Sequence, residues 1–209
     1  MIGPFDNISK KSKKKILRFL NAYTVKYREN KTILENIKTD NEIGIISKGY
    51  LQIIRNNYNG TQNIIEELYE NSIISSSMIY FDNDDYEIIA KDETELIIVS
   101  FDEIMRLESG DKSFNQFIKN LLYIINEKII EKNERIEILT KKTIRNKLLE
   151  YFNISSKKSG SRFIYLPFNF SDLAEYLAID RSAMSRELKY LKDEKIIEIK
   201  GKRITLLYR

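Results

Sequence analysis

The chain has 209 residues, 42% of them hydrophobic and 32% charged, which suits one large soluble domain or two small ones. It contains neither Cys nor His, which excludes disulfides, thiolate zinc and iron–sulfur sites, His-ligated haem and a His general base. The net charge of +4 is unevenly spread: residues 140–209 carry 16 Lys/Arg against 8 Asp/Glu, a balance of +8, and the first 139 carry 19 against 23. A basic C-terminal third on a mildly acidic front is the asymmetry expected of a sensor joined to a nucleic-acid binder. No apolar run approaches a membrane span, and the N-terminus has no signal-peptide core, so a cytoplasmic protein with no membrane contact is expected.

Residues Ile8–Leu20 have helical spacing, with Lys10, Lys11, Lys13, Lys14 and Lys15 along a solvated side. From Tyr23 to about Phe101 the pattern changes to short β-rich pieces: YTVKY, EIGIIS, YLQIIR, NIIEEL, YEIIA and ELIIVSF. Turn signals KTDN, NNYNG and DNDD separate them, and the even spacing predicts a β-roll or barrel. Asp82, Asp84, Asp85 and Glu87 are the candidate hard-metal cluster. Glu87 stands where a calcium loop needs Gly, so a solvated acidic turn is expected, with no metal and no cofactor.

A long helix follows, capped by Asp111 or Ser113 and running to about Ile138. One apolar stripe is Phe114, Phe117, Leu121 and Ile124. The other is Ile118, Leu122, Ile125, Ile129, Ile136 and Leu139, interrupted by Lys132 at a seam position. Two apolar sides need two partners. The simplest arrangement buries the first stripe on the chain's own roll and the second on a twin helix, where Lys132 would set register. The alternative packs both stripes within one chain.

The charge changes near Leu139–Thr140, which gives an N-terminal roll over 1–110, a dimerisation helix over 111–139 and a third domain over 140–209. Thr140 can cap a helix over TKKTIRNKLLEYF, and ISSKKSGSR reads as a flexible connector before a short strand in FIYLPF. In FSDLAEYLAIDRSAMSREL, Ser171 caps one helix, with Asp172 and Glu175 in its first turn, and Asp180 caps a second that runs to about Lys192. Only Ala178–Asp180 lie between them, so the helices must cross as a helix-turn-helix. Met184, Leu188 and Leu191 share a core side with Leu173, Ala174, Leu177 and Ile179. Opposite stand Ser182, Ser185, Arg186 and Lys189, flanked by Arg181: all hydrogen-bond donors, none acidic, suited to phosphates and purine edges. KIIEIKGKRITLLYR adds a basic hairpin around Lys200, Gly201 and Lys202, which makes a winged helix.

At these residues the chain resembles the Crp/Fnr family of bacterial transcription regulators, in the LAEYL helix, the RSAMSREL recognition helix and the LKDEKII run into the wing. NEIGIISKGYLQI and NYNGTQNIIEEL are similar, more weakly, to the middle of that family's cyclic-nucleotide-binding roll. The resemblance implies an α+β fold: a β-roll, a long dimer helix and a winged helix-turn-helix. It places Arg181, Ser185 and Arg186 at DNA-contacting positions, with Arg186 as guanine reader. The full candidate DNA set is Arg181, Ser182, Ser185, Arg186, Lys189, Ser171, Lys200 and Lys202; the dimer set is Ile118, Leu122, Ile125, Ile129, Lys132 and Ile136. Two departures concern the helix-turn-helix: many members carry Glu where this chain has Ser182, and Gly where it has Ala178. The expected function is that of a homodimeric regulator, not an enzyme, reading a pseudo-palindromic operator in double-stranded DNA. RNA polymerase and a small-molecule effector are further candidate partners. The alternative is an adaptor whose winged helix contacts a protein.

The effector stretch departs further. Cyclic-nucleotide binders of this family hold the ribose with a Gly-Glu pair and the phosphate with an Arg-Ser/Thr pair, yet residues 56–90 here contain no Lys or Arg. A buried phosphate without a cation, near carboxylates, is strongly disfavoured. Calorimetry with cyclic AMP and cyclic GMP at tens of micromolar should show no saturable heat; 1:1 binding at micromolar affinity would restore a nucleotide-responsive sensor.

Overall fold

Ser9 starts the first helix of the computed structural model, its hydroxyl accepting the Ser12 N–H at 3.1 Å. The structure describes residues 2–33, 41–56, 58, 62–75, 85–106, 111–167 and 169–208. Helix α1 (Lys10–Phe19) turns its lysines outward and buries Ile16, with Leu20 just beyond its end. Seven strands follow: β1 (Tyr23–Tyr27), β2 (Glu42–Lys48), β3 (Leu51–Asn56), β4 (Gln62–Leu68), β5 (Ile73–Ser75), β6 (Tyr86–Ala90) and β7 (Thr94–Ser100). They pair antiparallel in two sheets, of order β1-β7-β2-β5 and β4-β3-β6. The six β-rich pieces read from sequence are all strands; β5, only three residues long, adds a seventh.

In the larger sheet β2, β5 and β7 are buried on both faces, which explains why they read as apolar runs and not as alternation, whereas the edge strand β1 stays largely exposed. Ile46, Leu96 and Ile98 point into the roll with Leu51, Ile53 and Ile88 of the other sheet. Their neighbours Ile45, Ile97 and Val99 point the other way, onto α1 and the long helix. The short α2 (Phe101–Met105), which the sequence pattern did not announce, adds Ile104 to this second layer.

The long helix α3 spans Lys112–Leu139. Of its two candidate caps Asp111 takes the role: its Oδ1 accepts the Ser113 N–H at 2.8 Å, and Lys15 Nζ sits 2.6 Å from its Oδ2. These contacts hold the Asp111 carboxyl below the usual carboxylate range. Phe114, Phe117, Leu121 and Ile124 are buried on the roll, as the first stripe required. Beside them the buried Asn120 donates to the Pro4 and Asp6 carbonyls at 3.1 and 2.9 Å, which pins the N-terminal segment on α3. Of the second stripe Leu122, Ile129 and Ile136 are 61%, 51% and 58% exposed, while Ile118 and Ile125 are half-buried.

The chain divides into two compact units, Met1–Glu127 and Lys128–Arg209. The last turns of α3 thus belong with the C-terminal unit, where Ile138 enters the core. Two readings around the helix end need correction. Thr140 does not cap the next helix; it donates its hydroxyl to the Glu137 carbonyl, and Thr143 caps α4 (Ile144–Ser159) by accepting the Asn146 N–H at 3.1 Å. Nor is ISSKKSGSR a connector: its first residues are the last turns of α4, which Gly160 ends at φ +61°. Strand β8 (Phe163–Tyr165), helices α5 (Phe170–Tyr176) and α6 (Arg181–Asp193), and strands β9 (Ile197–Lys200) and β10 (Arg203–Leu206) complete the unit, with sheet order β8-β10-β9. Its core joins Leu148 and Phe152 of α4 to Leu173, Leu177, Met184, Leu188, Leu191, Ile197 and Ile204.

Asp82 and Asp84 lie outside the described residues. Asp85 ends the turn before β6, and Glu87 accepts a hydrogen bond from Asn56 Nδ2 at 2.6 Å. Among the described residues no acidic cluster could hold a metal ion, and no described helix is long and apolar enough to cross a membrane.

Candidate nucleic-acid interface

Helix α5 does not start at Ser171. Asn169 is its cap, its Oδ1 accepting the N–H groups of Ser171 and Asp172 at 2.8 and 3.0 Å, so Ser171 sits half-buried in the first turn. Asn caps as well as Ser does, so the expectation of Ser171 as the cap is corrected to Asn169, two residues earlier. The helix closes at Leu177, and Ala178 takes a left-handed φ of +49°. That conformation costs an alanine about 1–2 kcal/mol. Lys147 of α4 offsets part of it: Nζ donates to the Leu177 carbonyl at 3.0 Å and lies 3.4 Å from that of Ala178. A cation at a helix C-terminus also favours the helix dipole.

Asp180 then opens α6, accepting the Ala183 N–H at 2.8 Å, as its spacing required. Met184, Leu188 and Leu191 lie in the core, and Ile179 packs half-buried against it. The opposite face presents Arg181, Ser182, Ser185, Arg186 and Lys189, all exposed. Among the described residues none forms an ion pair or side-chain hydrogen bond with Arg181, Arg186 or Lys189.

Two acids near this helix, Glu187 and Glu194, are taken up elsewhere. Arg145 of α4 bridges Glu187 at 3.5 Å and Glu194, which it also meets through Nη1 at 2.9 Å. The contact holds the Glu194 carboxyl below its ordinary range. Sequence reading missed this arginine because its partners lie more than forty positions away. In the wing, the two-residue loop Gly201–Lys202 joins β9 to β10, with Gly201 at φ +59°, a conformation that hairpin turns assign to glycine. Lys200 and Lys202 are exposed there, and Lys200 pairs with Glu198 at 3.2 Å. The structure thus brings Arg181, Ser182, Ser185, Arg186 and Lys189 onto one helix face. It puts Lys200 and Lys202 at the hairpin tip and Ser171 in the first turn of α5.

The sequence of residues 144–209 matches the model of the Crp-like helix-turn-helix domain. The C-terminal unit carries a Crp-like winged helix. No curated protein matches the chain. Among solved structures, the chain is similar to CprK complexed with OCPA, at TM-score 0.68 and 14% identity over 92% of this chain and 88% of that one. It is also similar to a CooA mutant from Carboxydothermus hydrogenoformans, at TM-score 0.60 and 15% identity over 96% and 87%. A third likeness is the catabolite activator protein of Thermus thermophilus, at 0.52 and 15% over 97% and 92%. These identities show a shared fold along nearly the whole chain, and the Crp/Fnr resemblance is borne out by that fold and by the Crp-like domain.

An aromatic cluster supports the Crp-like domain from beneath. Tyr151 of α4 meets Phe152 and Tyr176 edge-on at 5.8 Å each, and Arg135 lies 5.0 Å over the Tyr176 ring. Burial pushes the Tyr151 phenol up to about 12. Because the folded value lies above the unfolded value near 10, this contribution is full below pH 10 and is lost as pH rises towards 12. Denaturant titrations of the C-terminal unit should therefore lose about 2–3 kcal/mol of stability over that range. Tyr151→Phe should reduce the loss, and an unchanged profile in the variant would place the titrating group elsewhere.

Proposed function

We propose that this chain is a cytoplasmic, homodimeric, sequence-specific transcription regulator that reads a pseudo-palindromic operator through α6. The observation that carries the reading is the α6 face: exposed cations and hydroxyls from Arg181 to Lys189, with no partner among the described residues for Arg181, Arg186 or Lys189, and the acid Asp193 only at the far end of the helix. Groups left unpaired on one side of a capped, core-anchored helix are available to phosphates and base edges. Arg186 is the residue suited to a guanine, since its fork can meet O6 and N7 together. Ser182, with one hydroxyl in place of a carboxylate, accepts and donates, which relaxes the base choice at its position. Lys200 and Lys202 hold the backbone beside the helix.

Dimerisation rests on α3. Leu122, Ile129 and Ile136 form an exposed apolar row that a second copy would bury, with Lys132 in the seam. A pseudo-palindrome follows from that two-fold symmetry. The roll is the sensor in this reading, with an effector other than a cyclic nucleotide; CprK was solved with OCPA, and CLP of Xanthomonas campestris is described as responsive to c-di-GMP, so neighbours of this fold differ in ligand. RNA polymerase is the further partner if the regulator activates.

Selection of binding sites from random duplexes should return a palindromic consensus, bound with steep salt dependence. Salt-insensitive binding without a consensus would favour the adaptor reading. Arg186→Ala should lose about 1–3 kcal/mol of discrimination per half-site while remaining folded; full discrimination against a scrambled operator would remove Arg186 from the base-reading role. Leu122→Glu and Ile129→Glu change exposed positions, so each protomer should fold normally while light scattering shows monomers. A persistent dimer would move the interface off this row.

A further inference from the structure

Helix α5 closes in a Schellman turn that carries one unusual residue. The Ala178 N–H donates to the Glu175 carbonyl and the Ile179 N–H to the Ala174 carbonyl, both at 3.0 Å. This pattern needs a left-handed residue at position 178, where glycine is unstrained and alanine is not. The Ala178 methyl gains no packing in return, since the residue is exposed and lies outside the core.

Two carbonyls of the turn remain, those of Leu177 and Ala178. Among the described residues no backbone N–H takes either. One side chain reaches both: Lys147 Nζ donates to the Leu177 carbonyl at 3.0 Å and stands 3.4 Å from that of Ala178. Lys147 is half-buried on α4, next to Leu148, which is fixed in the core. Among the described residues it forms no ion pair, so no carboxylate competes with the turn for its ammonium. A cation bonded to the last carbonyls of a helix both satisfies them and opposes the helix dipole.

We propose that Lys147 is a positioning residue for DNA reading, acting through the turn and not on the duplex. The inference rests on the DNA-binding reading above and deepens it. With the ammonium in place the left-handed angle is held, and α6 keeps its crossing over α5. Without it, Ala178 can release its strain by leaving that angle, and α6 is presented in the competent crossing for only part of the time. Operator affinity then falls in proportion to the competent fraction. Loose phosphate contacts need no fixed crossing, so binding to an unrelated duplex falls much less.

The test uses the full-length protein, a selected operator and a scrambled duplex, with folding of each variant followed by circular dichroism. Lys147→Met keeps an apolar stem and removes the ammonium. It should weaken operator binding by about five- to thirtyfold per half-site, the factor that the cost of a left-handed alanine allows, and change binding to the scrambled duplex far less. Ala178→Gly removes the strain at its source and disturbs no packed side chain. Added to Lys147→Met it should restore operator affinity, whereas alone it should leave that affinity unchanged. A lysine that bound phosphate would behave otherwise: its loss would weaken both duplexes alike, flatten the salt slope and resist rescue by glycine. That pattern, or a Lys147→Met protein with intact operator affinity, overturns the inference. If Lys147→Met unfolds but the double variant folds and binds, the assignment to the turn stands. If both unfold, it falls, because the lysine then serves the core. Absence of duplex binding by the wild-type protein sinks both readings, whereas a wild-type operator complex indifferent to Lys147→Met sinks this one alone.

Discussion

The geometry of the helix-turn-helix depends on one backbone angle. Ala178 must hold a left-handed φ of +49° for α5 and α6 to cross while sharing the core of Leu173, Leu177, Met184 and Leu188. A glycine would adopt this angle without strain; an alanine does so at a cost that the surroundings must offset. Three contacts provide the offset: the Lys147 ammonium on the Leu177 carbonyl, the Ile179 N–H on the Ala174 carbonyl at 3.0 Å, and the Asp180 cap immediately after. The turn is over-determined from both sides. An alanine here also restricts the unfolded chain more than a glycine would, which returns some of the strain as stability.

The same economy governs charge. Helix α6 contains both signs, and a Glu beside Arg186 would repel phosphates if it faced them. Glu187 instead lies half-buried on the flank toward α4, where Arg145 meets it together with Glu194. One cation from outside the helix-turn-helix thus draws off two acids. The exposed ion pair itself contributes little to stability. Its consequence is electrostatic: from Arg181 to Lys189 the face opposite the core presents cations and hydroxyls, and Asp193 follows only at the end of the helix.

Much of this was legible in the sequence because the signals were local. YEIIA is β6 residue for residue, and Asp180 caps the helix its spacing announced. The i, i+4, i+7 positions of Met184, Leu188 and Leu191 fixed which side of α6 faces out, and with it the helix residues of the candidate DNA set. Readings failed where two local signals competed or where the deciding partner was remote. Thr140 and Thr143 are both acceptable caps, and only the close of α3 on the Glu137 carbonyl assigns the second. Asn169 and Ser171 competed in the same way. The lysines and serines at 155–159 look like linker, yet α4 carries them because Tyr151 and Phe152 one turn earlier are held in the core. Arg145 and Lys147 are invisible in a linear reading, since their meaning comes from contacts made across long separations.

The long helix shows how a single element can be fully specified and still incomplete. Its early turns, Phe114 to Ile124, are buried with α1 and the larger sheet, and Ile138 near its end is buried with the winged-helix core. Between these stretches several apolar residues of the helix enter neither core. Ile129, Ile130 and Ile136 are consequently exposed. A helix that needed only to connect two units would carry polar residues on such a stretch, because isoleucine is not a favoured helix former when nothing packs on it. In the proposed homodimer, β-branched residues at these positions would pack knobs into holes against a second helix. Under that proposal the exposed row of Leu122, Ile129 and Ile136 would be half of a core that a second copy completes.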